Sequence, residues 1–223
     1  MLNQLFSGGM DFVGVIVYIL STLTVIFLTL PIHEFAHAFA ATKLGDPTPR
    51  YQGRLTLNPF AHIDYLGALC ILLFGFGWAK PVPVNSYNFK NPKRDMALTA
   101  LAGPLSNLIV ALLSLIITNV ILLVTNSLRL YYVLGFFYYI AQINVYLAVF
   151  NLIPIPPLDG SRLISVILPN KYYYTLMRYE RYIYYGLIAL LFLGILDLPL
   201  DNAAKFVINL LDKIASLPFI FLR

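Results

Sequence analysis

The sequence predicts an all-α polytopic membrane protein with about five transmembrane helices and one re-entrant segment. Three observations predict it. Of 223 residues, 60% are hydrophobic and only 11% charged, where soluble domains run at about 25% charged. Mean hydropathy is +0.79. The apolar residues gather in runs at about 12–44, 65–79, 96–125, 131–155, 182–198 and 203–222, and a spanning helix needs about 20 residues. At this length the whole chain, 1–223, reads as a single membrane-embedded domain with no separate soluble module.

The first run, 12–44, is long for one span, and Pro31 inside it predicts a bend or local unwinding. The second is short and interrupted by Gly67, Gly75 and Gly77. Its flanking loops are both basic, one with Arg50 and Arg54, the other with Lys80, Lys90, Lys93 and Arg94. A crossing would put these loops on opposite sides, against the positive-inside rule, so 66–79 is expected to be re-entrant or interfacial. Then 96–125 runs outward, 131–155 inward and 182–198 outward, and 203–222 returns to a cytoplasmic Arg223. Arg129 and Lys205 are the basic residues left outside. Residues 51–58 alternate polar and apolar, and Pro81-Val82-Pro83-Val84-Asn85 is extended. These stretches read either as two polar surface loops or as a small β-hairpin or sheet near the active site. In the second case Pro81, Val82, Pro83 and Val84 offer an edge to an unwound peptide. Gly103-Pro104 reads as a helix start and close-packing site. Asn144 reads as an interhelical hydrogen-bonding residue. Tyr172 to Tyr185, with Lys171, Arg178 and Arg181, reads as an interfacial aromatic belt.

The net charge of +5 gives no sign of nucleic acid, because the basic residues sit between apolar runs; the expected surroundings are a lipid bilayer. The lone Cys70 excludes an intramolecular disulfide. Residues 1–11 have Asp11 as their only charge and show no signal-peptide n-region, so the first apolar run is expected to stay in the mature protein.

The most informative stretch is His33-Glu34-Phe35-Ala36-His37. On a helix, residues four apart lie about 40° from each other around the axis, so His33 and His37 can share one metal ion. Glu34 points to an adjoining face, where a carboxylate can take a proton from water activated by the metal. The chain has three His and two Glu. Scattered at random they would produce this pattern in about 4 of 10,000 such chains. An acid inside a membrane span costs about 2.5–3.5 kcal/mol on insertion scales, which marks Glu34 as functional. A hydrolytic motif in a segment built for lipid points to hydrolysis inside a membrane. Zinc, one ion per chain, needs a third protein ligand, and the residues leave His62, Asp64 and Asp159. Asp159 is favoured: it closes Asn151-Leu152-Ile153-Pro154-Ile155-Pro156-Pro157-Leu158-Asp159, whose prolines break the helix and free backbone polar groups.

These residues carry a family resemblance. The chain resembles a site-2 protease, the zinc intramembrane metalloprotease family, in a compact form without PDZ or CBS domain. The shared motifs are the His-Glu-x-x-His stretch, Gly45-Asp46-Pro47, and Gly53-Arg54-Leu55-Thr56-Leu57-Asn58-Pro59. Gly75 to Val84, Ala102-Gly103-Pro104-Leu105-Ser106-Asn107 and Asn151 to Gly160 complete the set, in a core at about 24–170. The helices after it, about 182–222, rest on hydropathy alone. The resemblance implies cleavage of membrane proteins within, or near the cytoplasmic end of, their transmembrane segments. It makes Asp159 the third zinc ligand, implicates Asn151 in substrate or transition-state contacts, and gives Gly103, Pro104 and Asn107 a supporting place near the site. The expected partner is a transmembrane protein substrate, with room for a homo-oligomer or a membrane regulator. The expected location is a prokaryotic plasma membrane, multi-pass, with the active site towards the cytoplasm. Tyr65 and Ser161 depart from the family's usual proline and glycine without touching the zinc residues. Two other readings are an inactive relative that binds transmembrane helices as a scaffold, which the intact Glu34 disfavours, and a metal-ion transporter, which needs no His-Glu-x-x-His order.

Overall fold

The computed structural model describes residues 11–74, 77–124 and 130–219. Gly75, Phe76, Arg129 and Arg223, all used in the sequence reading, lie outside them. The regular secondary structure of the described residues is all helical, with no strand.

Helix α1, Phe12–Thr24, is capped by Asp11, whose side chain accepts the Gly14 N–H at 2.9 Å. It passes into a π-helical turn, Val25–Thr29, and then into α2, Leu30–Leu44, with Pro31 in its first turn. The expected disturbance at Pro31 therefore takes the form of a widened turn in one continuous helix, Phe12–Leu44. Proline has no N–H to give and crowds the carbonyl four residues back, and the extra residue in the turn makes that room. Gly45, at φ 113, ends α2.

Two short helices follow, α3 (Thr48–Tyr51) and α4 (Pro59–His62), then α5, Tyr65–Phe74. At 10 residues α5 rises about 15 Å, half of the bilayer core. The 33-residue α6, Pro92–Val124, packs against α2 and against α7, Tyr131–Asn151. Its faces divide cleanly: Leu105, Ile109, Leu113 and Ile117 are exposed at fourfold spacing, while Gly103, Asn107, Ala111 and Ser114 are buried. Small residues on the buried face let the helices approach closely where apolar contact alone gives no advantage over lipid. After α7 come α8 (Gly160–Ile167), α9 (Asn170–Arg178), α10 (Glu180–Phe192) and α11 (Asp197–Ser216). Helix α11 lays Ala204, Ile208 and Ala215 on Ala111 and Leu115 of α6 and Ala141 and Val145 of α7.

Three sequence expectations change here. The small sheet is not formed among the described residues: 51–58 makes the end of α3 and turns, and Pro81-Val82-Pro83-Val84 forms no strand. Its Val82 N–H bonds instead to the Glu34 side chain. Gly103-Pro104 lies inside α6 and not at its start; a membrane helix tolerates proline where neighbouring helices re-satisfy its backbone. Three helices are long and apolar enough to cross a membrane: Phe12–Leu44, Pro92–Val124 and Tyr131–Asn151. The two C-terminal runs, expected as two crossings, are a pair bent by 85° that makes a fourth if taken as one broken span. Gly194, at φ 68, produces the break, closing α10 with bonds from Gly194 N–H to Leu191 C=O and Ile195 N–H to Leu190 C=O.

Candidate active site

Helix α2 buries His33 and His37 against α6. The contact is close because α6 presents Gly103 there. A Cβ on Gly103 would fall 2.3 Å from His37 Nε2 and 2.6 Å from His33 Cε1, so only glycine leaves the two imidazoles their space. His37 Nδ1 lies 2.8 Å from the Thr99 carbonyl. A carbonyl can only accept, so Nδ1 carries the proton and the Nε2 lone pair is turned towards His33.

Asp159 reaches the same point from the chain after α7. The turn 152–160 folds back tightly, and a Cβ on Gly160 would sit 2.3 Å from Leu152 O and 2.5 Å from Ile153 O. Asp159 Oδ2 stands 3.4 Å from His33 Nε2 and 3.3 Å from His37 Nε2, and the two Nε2 atoms are 3.0 Å apart. Ligands on tetrahedral bonds about 2.0–2.1 Å long end about 3.3 Å from each other, which these separations match. Asp159 Oδ2 is buried and finds no hydrogen-bond donor. The His37 lone pair, His33 Nε2 and a carboxylate oxygen without a hydrogen-bond donor converge on one point, which fits a metal ion, and these three residues can hold one.

Glu34 is buried, and its Oε2 accepts the Val82 N–H at 3.1 Å. It faces a cavity of about 660 Å³ bordered also by His33, His37, Val82, Asn151 and Asp159. Pro81 and Val84 border it, Pro83 does not. Asn151 donates Nδ2 to Leu147 C=O at 3.0 Å. Asn107 is fully buried behind Gly103 and does not border the cavity; neither amide atom finds a partner among the described residues. His62 stands apart, its Nε2 bonded to Thr56 C=O at 2.8 Å. Burial pushes its imidazole below the ordinary value, with the Thr56 bond opposing. Asp64 caps α5 through the Gly67 N–H at 2.9 Å. Gly103 was expected to support packing near the site, but its contact with the two imidazoles, the Thr99 carbonyl and the Val82 N–H were not anticipated. Two of the three are main-chain groups, which have no signature in residue type.

A family model described as peptidase family M50 matches residues 117–194, which include Asn151 and Asp159 but not the His33–His37 motif. The chain is also 39% identical over 197 residues to "Putative zinc metalloprotease YwhC" of Bacillus subtilis (strain 168), covering 84% of this chain and 87% of that protein. The chain belongs to peptidase family M50. Further similarity extends from this M50 zinc metalloprotease to "Putative zinc metalloprotease Rip2" of Mycolicibacterium smegmatis, 30% identical over 156 residues. That match covers 68% of this chain and 57% of the relative. The Rip2 protein of Mycobacterium tuberculosis (strain ATCC 25618 / H37Rv) is 34% identical over 139 residues, 60% of this chain and 51% of that one. The M50 chain thus spans little more than half of either Rip2 protein. No solved structure matches it.

Proposed function

We propose that this M50 protein hydrolyses peptide bonds within, or near the cytoplasmic end of, transmembrane segments of other membrane proteins in a prokaryotic plasma membrane. The observation that carries the reading is the convergence of His33, His37 and Asp159 beside Glu34 in one cavity between membrane-crossing helices. His33, His37 and Asp159 would hold one zinc ion, which when bound would supply the Lewis acid that activates water at neutral pH. Glu34 takes the proton of the attacking water and passes it to the leaving amine. Asn151, at the cavity border, bonds the substrate backbone as its carbonyl becomes tetrahedral. A helical substrate hides its carbonyls in hydrogen bonds and must unwind before attack, so helix-weakening residues near the cut are expected in substrates. Val82 and Val84 line the route by which an extended peptide would lie beside Glu34. Helix α5, too short to cross, forms the re-entrant element and keeps both basic loops on the cytoplasmic side.

The test is cleavage of a panel of single-span proteins by the purified protein, with chelator and zinc add-back, and with Glu34→Gln alongside. Wild type should cut, chelation should stop it, and Glu34→Gln should keep its zinc while losing about 10²–10⁴-fold in rate. A wild type that cuts nothing in a broad panel would sink the protease reading in favour of a helix-binding scaffold. Normal cutting by zinc-loaded Glu34→Gln would remove Glu34 from the chemistry.

A further inference from the structure

Arg54 is a charged side chain in the wrong place for a solvated loop. It is 6% exposed, its Nε finds no hydrogen-bond partner, and it makes no ion pair among the described residues. Burying a guanidinium whose counter-charge, Glu34, lies beyond ion-pair distance is costly, so something must be gained. Gly53, at φ 66, turns the chain after α3, and the Arg54 N–H bonds back to Pro49 C=O at 2.8 Å, which sends the side chain inward. There Arg54 Nη2 donates to the Lys80 carbonyl.

Lys80 opens the segment that reaches Glu34. Its N–H donates to His62 C=O at 2.8 Å. Two residues on, the Val82 N–H donates to Glu34 Oε2. Lys80 and Val82 thus both turn main-chain groups to the side that holds Arg54, His62 and Glu34. Pro81 and Pro83 have no N–H, so neither adds a donor. Further along, Asn85 N–H and Asn88 Nδ2 both reach the buried Asp46 carboxylate at 2.7 Å. The segment is thus fixed at both ends by a buried charge, with its one bond to the catalytic glutamate between them.

We propose that Arg54 is a positioning residue for the hydrolytic base: by holding the Lys80 carbonyl, it fixes the segment so that the Val82 N–H orients the Glu34 carboxylate. The proposal rests on the reading of Glu34 as that base. It assigns Arg54 no contact with substrate. The demand is geometric, since a misplacement of about 1 Å can cost about 10²-fold in rate. Lysine would keep the charge but not the planar, directed donor.

The closing experiment uses zinc-loaded full-length protein and has two arms. Amide hydrogen exchange across 79–85 needs no substrate: Lys80 and Val82 should be protected in wild type and exchange at least about tenfold faster in Arg54→Gln. In the kinetic arm, a single-span protein that wild type cuts is given to Arg54→Gln, Arg54→Lys, Val82→Pro and the Arg54→Gln/Val82→Pro double variant. Arg54→Gln and Val82→Pro should each lower kcat by about tenfold or more with KM within about twofold, and Arg54→Lys should not restore it. The double variant should be no slower than Val82→Pro alone, because both changes break one chain of contacts. Additive losses, a change confined to KM, or unchanged exchange in Arg54→Gln would each overturn the proposal. Should both Arg54 variants lose zinc on purification, Val82→Pro decides alone, and wild-type kcat there overturns it. If wild type cuts nothing, the protease reading fails, while the exchange arm still reports whether Arg54 holds the segment.

Discussion

The space for the two imidazoles is set by the absence of one methyl group on α6. Gly103→Ala would force His33 and His37 apart or turn them, since the added Cβ has backbone on one side and two rings on the other. We expect this variant to remain helical and inserted but to lose most of its zinc, read by metal analysis of purified protein. Full zinc content in Gly103→Ala would show that the rings have slack the structure does not show. The same analysis on Asp159→Ala and His62→Ala separates the candidate third ligands. Loss is expected in the first and retention in the second, because the His62 nitrogen is committed to Thr56. His33, Glu34 and His37 were legible from sequence because spacing along one helix is a local property. Asp159 was favoured because prolines and an acid at the end of an apolar run need a polar destination. Gly103 was placed near the site by the resemblance alone; its contact with the two rings was not legible, since it depends on which face of α6 meets α2.

The segment after α5 is held partly by Asp46, whose fully buried carboxylate accepts from Thr48 N–H, Thr48 Oγ1, Asn85 N–H and Asn88 Nδ2. Burial acts to raise its pKa, and the bonds from Thr48, Asn88 and Asn85 together outweigh that and hold it below the usual carboxylate range. A depressed folded pKa contributes stability that is present above the unfolded value of about 3.9 and is lost as pH falls through the folded value. Asp46→Asn puts an amide N–H₂ where one of these donors now finds an acceptor. It should destabilise by about 1–3 kcal/mol at pH 7, and the deficit should shrink below about pH 4. Melting of both proteins in detergent from pH 7 to pH 3 measures this; a deficit that grows on acidification would contradict it. At this scale the apolar runs announced their helices well. The alternation at 51–58 and the prolines at 81 and 83 suggested paired strands, because an extended backbone looks the same from sequence whether its bonds go to another strand or to buried side chains.

For the molecule as a whole, the charge pattern and the helix lengths make one joint demand: the loops bearing Arg54 and Lys90 share a side of the membrane. Cysteines introduced at the exposed Gln52 and at Tyr87, 94% exposed, should react alike with an impermeant thiol reagent, poorly in intact cells and readily in inverted vesicles. Opposite behaviour at the two positions would make α5 a crossing. The number of crossings was the least legible property, because hydropathy sums over a run and does not register a break such as Gly194, where one positive φ redirects the helix. The arrangement of donors also bears on biosynthesis. His33 and His37 enter with the first span, but Asp159 follows only after α6 and α7 have been made and packed. A chain inserting helix by helix therefore carries an incomplete ligand pair through most of its assembly, and zinc capture becomes a late event that reports correct docking of α7. A partly inserted intermediate that lacks Asp159 therefore has only two of the three residues that can hold the metal.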